Sequence, residues 1–272
     1  MFEDISKVLL ITDMDGTFLP SSKIPGEKSL KALTDFQSKG GKFSIATGRA
    51  IQAAQQYFDS FSVNCPIIMC NGGMVYDLNK HRQIYDVFLP EFSKDIVKDI
   101  LEANSEVGCE VLTLDAVYVP QMTEMEAQHN VICKVEPVIC GVDDIPENWY
   151  KVLFAIEPEK MDGLISYVES KGWTGVDFVR SSKEYYEILP QNITKGSALE
   201  KMRGICGMED YTIVAMGDYN NDLEMIKAAD IGICPSNAVD DIKAVCDLVL
   251  DVSCEENAVA AAIEYIYSRL EK

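Results

Sequence analysis

Short apolar runs alternate along the chain with stretches whose apolar residues recur at helical spacing, the pattern of a parallel sheet wrapped by helices. Val8-Leu9-Leu10-Ile11-Thr12 is apolar on both pleat faces and predicts a strand buried on both sides. Lys28 to Lys39 places Leu30, Leu33 and Phe36 on one helical face and stops at Gly40-Gly41. A strand at Lys42 to Ala46, a helix at Arg49 to Phe58 and a strand at Pro66 to Cys70 complete a βαβαβ series. Near the C-terminus, Thr194 can cap a helix from Lys195 to about Gly204, followed by a strand at Thr212 to Met216 and a helix from Asn221 to Ala229. Further strands fall at Ile231 to Cys234 and Leu248 to Val252, with a helix at Val239 to Val245 between them. Ser253 and Glu256 are spaced as a capping box before a last amphipathic helix.

The middle of the chain reads differently. Strands such as Glu110 to Leu114 and Lys151 to Ile156 lie between helices at Ser93 to Ser105 and Lys160 to Gly172, and both tryptophans fall there. The expected fold class is therefore α/β: a Rossmann-like parallel-sheet core formed by residues 1–83 and 190–272, with an inserted α+β cap over residues 84–189.

Composition narrows the partners. The 272 residues carry 24 Lys+Arg against 44 Asp+Glu, a net charge of −20, which argues against nucleic acid and against anionic membrane surfaces. No apolar run approaches the roughly 18 residues of a membrane helix. The N-terminus does not read as a signal peptide, because its first apolar run is short and leads directly into Asp13 and Asp15. Nine cysteines without a C-x-x-C suit a reduced, cytoplasmic chain in which they serve as small core residues. A monomer or weak dimer is expected.

Ligands of open parallel α/β sheets bind beyond the carboxyl ends of the strands, so the residues delivered there carry the chemistry. Four strand ends deliver polar clusters: Asp13-Met14-Asp15-Gly16-Thr17, Thr47-Gly48-Arg49, Asn71-Gly72-Gly73 and Gly217-Asp218-Tyr219-Asn220-Asn221-Asp222. Two carboxylates at i and i+2 joined by a third from a distant strand offer hard oxygen ligands suited to Mg²⁺ and a substrate phosphate. One carboxylate can then attack phosphorus while another handles the leaving-group proton. Lys195 and Thr47 can hold phosphoryl oxygens, aided by backbone N–H groups where the loop turns at Gly16. The plainer alternatives are a strand-end cap for Thr47, a solvated or structural residue for Arg49, and a mere tight turn for Asn71-Gly72-Gly73, which as the third strand end is expected to shape the floor of the site.

Competing motifs fail. Thr194-Lys195-Gly196-Ser197 lacks the glycine-rich approach of a P-loop. The Asp218-Asn220-Asp222 run has Leu223 and Ala229 where a calcium loop needs Gly and Glu. With only His81 and His129 and no nucleophile elbow, a Ser-His-Asp triad is unsupported.

Asp13-Met14-Asp15-Gly16-Thr17, Ala46-Thr47-Gly48-Arg49, Lys195-Gly196-Ser197-Ala198-Leu199 and Gly217-Asp218-Tyr219-Asn220-Asn221-Asp222 resemble, in order and spacing, the four motifs of haloacid-dehalogenase-like phosphatases. Asn71-Gly72-Gly73 and Glu187-Ile188-Leu189-Pro190 point to the Cof-type, type IIB cap subfamily of sugar-phosphate phosphatases. The resemblance implies that Asp13 is the nucleophile forming an aspartyl phosphate, and that Asp15 is the general acid and base. It implies Mg²⁺ held by Asp13, the backbone carbonyl of Asp15 and Asp218, with Asp222 in support. Thr47, Lys195 and Asn221 would hold the phosphoryl group, while Gly16, Thr17, Gly48, Arg49, Asn71 and Gly72 would shape the loops. The implied activity is Mg²⁺-dependent hydrolysis of small phosphorylated metabolites, sugar phosphates first, under a cap that closes during transfer. The alternatives are pyridoxal phosphate or flavin mononucleotide and its precursors, a phosphotransferase or phosphomutase, and a phospho-accepting regulatory domain. Cys234-Pro235, ahead of Asn237-Ala238, departs from the family pattern and has no assigned role.

Overall fold

The computed structural model describes residues 3–270. In chain order its elements are β1 (Val8–Thr12), α1 (Glu27–Ser38), β2 (Lys42–Ile45), α2 (Ile51–Ala54), β3 (Ile67–Met69), β4 (Met74–Asp77) and β5 (Arg82–Asp86). The middle holds α3 (Ser93–Ala103), β6 (Gly108–Leu112), β7 (Val117–Gln121), α4 (Glu124–Cys133), β8 (Val138–Ile139), β9 (Lys151–Ala155), α5 (Met161–Lys171), β10 (Val176–Arg180) and β11 (Tyr185–Pro190). The C-terminal part adds α6 (Lys195–Ile205), β12 (Thr212–Met216), α7 (Leu223–Ala228), β13 (Ile231–Cys234), α8 (Asp240–Lys243), β14 (Leu248–Val249) and α9 (Ala258–Ser268).

Two compact units emerge among the described residues: 3–48, 57–85 and 194–270 form one, and residues 49–56 and 86–193 the other. The first is built on a five-stranded parallel sheet of order β14-β13-β12-β1-β2. All five residues of β1 are buried, as a central strand covered on both faces requires. On one face Leu9, Ile11, Ile213 and Ala215 pack with Ala198, Leu199 and Met202 of α6 and with Met225 and Ile226 of α7. α1 packs against α9, where the Phe36 and Tyr267 rings lie 6.5 Å apart. β3 meets β2 through a parallel bridge between Ile68 and Ala46, then runs into the antiparallel sheet β3-β4-β5.

The second unit carries a six-stranded sheet of order β10-β11-β9-β6-β7-β8, antiparallel except for the β7–β8 pair. Alternation along the strands sends Val111, Val152, Phe154 and Ile188 into a core with Ile96, Val97 and Ile100 of α3 and Leu164 and Val168 of α5. The register puts Glu110 and Glu187 on either side of Leu153, so the opposite face carries buried charge. There Lys151 donates to Glu187 at 2.8 Å, with side chains 4% and 3% exposed. The fold is thus α/β, with a parallel core sheet in one unit and separately inserted sheets.

Local differences from the pattern-based expectations have identifiable causes. The helix expected over 49–58 is one short turn, α2, followed by a 3₁₀ turn at Gln55–Tyr57. Gln56 Nε2 donates to the Ala53 carbonyl at 3.0 Å, a local bond that competes with the helical ladder. The Ser253/Glu256 capping box forms, but it closes a 3₁₀ turn; α9 begins only after Asn257, which is left-handed at φ 69°. Asn257 Oδ1 accepts from Ser29 N in the first turn of α1 at 3.2 Å, so the interruption serves the neighbouring helix.

Candidate active site

Parallel register sets where the polar residues emerge. Thr12 lies beside Met216 on one side and Ile45 on the other, so the residues after β1, β2 and β12 leave the sheet at one level. Asp13 N still donates to the Met216 carbonyl at 2.8 Å, which fixes the start of the loop. Beyond it, Phe18 N and Leu19 N both return to the Met14 carbonyl, curling residues 14–19 back on themselves. Gly16 sits at φ 87°, and a Cβ there would meet Asp218 Oδ2 at 2.5 Å, so this turn can approach the second acidic loop only as glycine.

Lys195 is the first residue of α6, capped reciprocally by Thr194 and Ser197. A cation there opposes the helix dipole. Two carboxylates offset this: Lys195 Nζ donates to Asp13 Oδ1 and to Asp222 Oδ1, both at 2.6 Å, with the lysine side chain 0% exposed. Burial would lower its pKa, but the charges of Asp13 and Asp222 outweigh that and hold the ammonium protonated. The second oxygen of Asp222 accepts from Asp218 N (2.9 Å) and Tyr219 N (3.1 Å), which makes this residue the brace of its own loop. Thr17 Oγ1 donates to Asp218 Oδ1 at 2.7 Å, tying the first loop to the last.

The third strand end supplies the floor. Asn71 N donates to the Thr47 carbonyl at 3.1 Å, and Asn221 Nδ2 donates to Asn71 Oδ1 at 3.1 Å. A Cβ on Gly48 would lie 2.9 Å from Asn71 Oδ1. Gly72, at φ 109°, lets the turn pass close to α6, since a Cβ would meet the Thr194 carbonyl oxygen at 2.3 Å. The structure thereby gathers Asp13, Gly16, Thr17, Thr47, Gly48, Asn71, Gly72, Lys195, Asp218, Asn221 and Asp222 at one end of the first unit. Arg49, the residue after Gly48, is buried, and its charge joins those of His129 and Lys151 in holding the Glu110 carboxyl low against its burial.

One participant had no motif to announce it. Lys23, in the loop before α1, pairs with Asp15 Oδ1 at 2.6 Å. Another carried a weak signal: Asn237, of the Asn-Ala pair, donates to the Gly16 carbonyl at 2.8 Å and accepts from Cys254 N at 2.8 Å. Arg180 donates to the carbonyls of Ser182 and Lys183 in the β10–β11 turn. His129 lies beside Glu110 at 3.3 Å with its side chain 12% exposed.

The donor set fits a divalent cation. Asp13, Asp218 and Asp222 each bring a carboxylate oxygen within 4.8 Å of the others. Burial, the Asp222 charge and Asp15 push the Asp218 carboxyl up to about 7, and burial with the charges of Asp222, Asp218 and Asp15 drives Asp13 the same way against the pull of Lys195. A hard cation with oxygen ligands would relieve that repulsion.

A parallel α/β sheet presenting crowded carboxylates and a buried lysine at its carboxyl edge defines a class, enzymes that bind and transfer anionic groups with a metal's help. Residues 10–263 match the model of the haloacid dehalogenase-like hydrolases, and the chain belongs to that family. It is 26% identical to the Bacillus subtilis 5-amino-6-(5-phospho-D-ribitylamino)uracil phosphatase YcsE, with 97% of each chain covered. Among solved structures it superposes on TM0651 from Thermotoga maritima with a TM-score of 0.80, at 25% identity over 94% of this chain and 96% of that one. A subclass IIB sugar phosphatase of the same superfamily gives a TM-score of 0.82 at 20% identity, over 95% of this chain and 98% of the other. The protein is a phosphatase of this superfamily. Among the described residues no helix is long and apolar enough to cross a membrane.

Proposed function

We propose that the protein hydrolyses phosphomonoesters of small metabolites, sugar phosphates foremost, through a phosphorylated Asp13. The observation that carries this reading is the placement of Asp13, which is held by Lys195 at 2.6 Å and lies within a carboxylate cluster that spans 4.8 Å. Asp13 attacks phosphorus, and Asp15 protonates the departing ester oxygen. Asp15 then accepts a proton from the water that cleaves the acyl phosphate. Lys195 and Thr47 bind the phosphoryl oxygens, Asn221 contacts the same oxygens from the floor, and Asp222 keeps Lys195 and the 218–219 backbone in place. Lys23 must give up its hold on Asp15 for that carboxyl to carry a proton. Mg²⁺, bound by Asp13, the Asp15 carbonyl and Asp218, would neutralise the carboxylates and the charge on the phosphoryl group.

A second substrate class is favoured by the end-to-end similarity to YcsE, whose name specifies a phosphoribitylamino-uracil. Both substrates carry a polyol phosphate, so the same phosphate site serves either. Turnover of p-nitrophenyl phosphate with Mg²⁺ tests the reaction, and a panel of hexose phosphates, pyridoxal phosphate, flavin mononucleotide and ribitylamino-uracil phosphate tests the substrate. Full activity in Asp13→Asn would sink the mechanism. Transfer of phosphate to a sugar acceptor instead of water would mark a phosphotransferase.

A further inference from the structure

A cavity of about 490 Å³, a size that holds a small metabolite, lies in the first unit at the ends of β3 and α6 remote from the acidic loops. β3 leads out to Asn71 and Gly72, and the residues just before it, 64–66, line the cavity. α6 starts at Lys195 and finishes at Ile205, roughly 15 Å further along, where Ile205 and Cys206 line the same cavity. At their catalytic ends the two elements touch, since Gly72 passes the Thr194 carbonyl with no room for a Cβ. The remaining wall is the end of β4, the turn after it and the start of β5.

The charge of this cavity runs against that of the chain, which carries 44 acidic residues to 24 basic ones. Asp77 is the one carboxylate among the lining residues, and it is spent on its own turn. Its Oδ1 accepts from Asn79 N and Lys80 N, both at 3.1 Å, and its Oδ2 accepts from Lys80 Nζ at 2.9 Å. Arg82, at the start of β5, lines the cavity and makes no ion pair or side-chain hydrogen bond with the described residues. The other walls are firm. Ile84 and Cys206 pack against the core cluster of Leu9 and Ile213, while Ile205 keeps 52% of its surface uncovered. Asn64 fixes the rim: its Oδ1 accepts from Phe43 N at 2.7 Å and its Nδ2 donates to the Gly41 carbonyl at 3.0 Å. An unpaired guanidinium beside uncovered aliphatic surface suits an anion with an apolar body.

We propose that this cavity is an effector site for a small organic carboxylate, whose charged head pairs with Arg82 while its apolar body lies on Ile84 and Ile205. The planar guanidinium matches a carboxylate with two parallel N–H bonds. A single negative charge also meets the field of a −20 chain once, where a phosphate dianion would meet it twice. Covering Ile205 takes aliphatic surface out of water and adds to the affinity. Occupancy bears on the last residue of α6 and on the segment that enters β3. Those two elements carry Lys195 and Asn71 at their other ends, so the bound carboxylate acts on the placement of both.

The effect on turnover rests on the proposed phosphatase chemistry; the binding does not. The probe is 4-fluorobenzoate, followed by fluorine NMR on the full-length protein with Mg²⁺, and its uncharged analogue is 4-fluorobenzamide. Binding in the millimolar range is expected for the carboxylate, the strength open to a ligand of this size, and binding at least about tenfold weaker for the amide. Arg82→Gln and Ile205→Gln change two exposed positions on different walls. Each should weaken the carboxylate about tenfold or more and leave turnover in its absence within about twofold of the parent. Saturating the parent should change kcat/KM for p-nitrophenyl phosphate by about fivefold or more, an effect absent from both variants. No binding to the parent, equal binding of the amide, or undiminished binding to either variant would overturn the site. Binding that needs both Arg82 and Ile205 but leaves kcat/KM unchanged would overturn the effector role. The same binding by a protein that turns over no phosphate ester would uphold the site and overturn the phosphatase reading.

Discussion

At the scale of single residues, Lys195 carries the most consequence, because it is fully buried and balances two carboxylates. Lys195→Met leaves Asp13 and Asp222 buried without it, and removing one partner of a buried ionic pair costs about 3–5 kcal/mol. A lower unfolding midpoint together with lost turnover is expected in chemical denaturation and p-nitrophenyl phosphate assays; a variant as stable as the parent would contradict the pairing. The neighbouring acids make a separate statement about pH. With its carboxyl pushed up to about 7, Asp218 of the metal-free protein holds a proton in mildly acid solution, whereas a cation needs it ionised. Binding of Mg²⁺ below about pH 7 should therefore release protons and tighten as pH rises to that value. Titration calorimetry in two buffers of different ionisation enthalpy reads this directly, and heats independent of buffer would refute it. Asp13, Asp15, Asp218 and Asp222 were legible in the sequence because strand ends announce themselves as apolar runs that stop on acids. Lys23 was not: it reaches Asp15 from a loop with no periodicity and no motif, and only the curl of residues 14–19 brings the two together.

At the scale of elements, legibility followed the strength of the local signal. Thr194 formed the expected helix cap, with Ser197 reciprocating, and β1 became the expected buried strand, because in both cases local preference and tertiary environment agree. α4 carried no clear amphipathic stripe; it buries Glu126, Asn130 and Cys133, polar and small residues that pattern reading does not place in a core. Glu126 is wholly buried, Asn130 Nδ2 donates to its Oε1 at 2.7 Å, and burial with the Glu110 charge pushes its carboxyl up to about 8. Glu126 Oε2 and Asn130 Oδ1 are both buried acceptors without a hydrogen-bond donor, the arrangement of a carboxylic acid kept neutral. A carboxyl whose folded pKa is raised contributes its full stability below the unfolded value and loses it as pH climbs to the folded one. For Glu126 that window runs from the ordinary glutamate value of 4.5 to about 8. Glu126→Gln removes the ionisation and supplies a donor, so its unfolding temperature relative to the parent should rise steadily across this window and level above it. A difference that does not change with pH would refute the neutral acid. At the other end of the fold, Gly72→Ala places a methyl against the Thr194 carbonyl at φ 109°. The shift of α6 that follows should cost about 1–3 kcal/mol and lower turnover with it.

At the scale of the molecule, the −20 charge sets what approaches the site. Its distribution is uneven: residues 84–189 hold 8 Lys+Arg and 21 Asp+Glu, a net of −13, and the other residues hold 16 and 23, a net of −7. A cation bound at Asp13 and Asp218 together with Lys195 makes one local sink for one phosphate, while the long-range field repels anions in proportion to their charge. A monophosphate with a neutral body meets the repulsion once and recovers it in the site; a second phosphate adds repulsion with no matching sink, which is specificity by unfavourable contact. The measurable consequence is in kcat/KM, since the field acts on encounter. A hexose monophosphate should exceed its bisphosphate in kcat/KM at low ionic strength, and added salt should narrow the gap by raising the bisphosphate more, because screening at about 0.15 M shortens the field to about 8 Å. Substituting acidic surface residues of 84–189 with Gln or Asn should narrow it in the same direction without changing kcat for the monophosphate. A bisphosphate preferred at low salt, or a ratio indifferent to salt, would mean that contacts within the site decide selectivity and that the acidic surface does not.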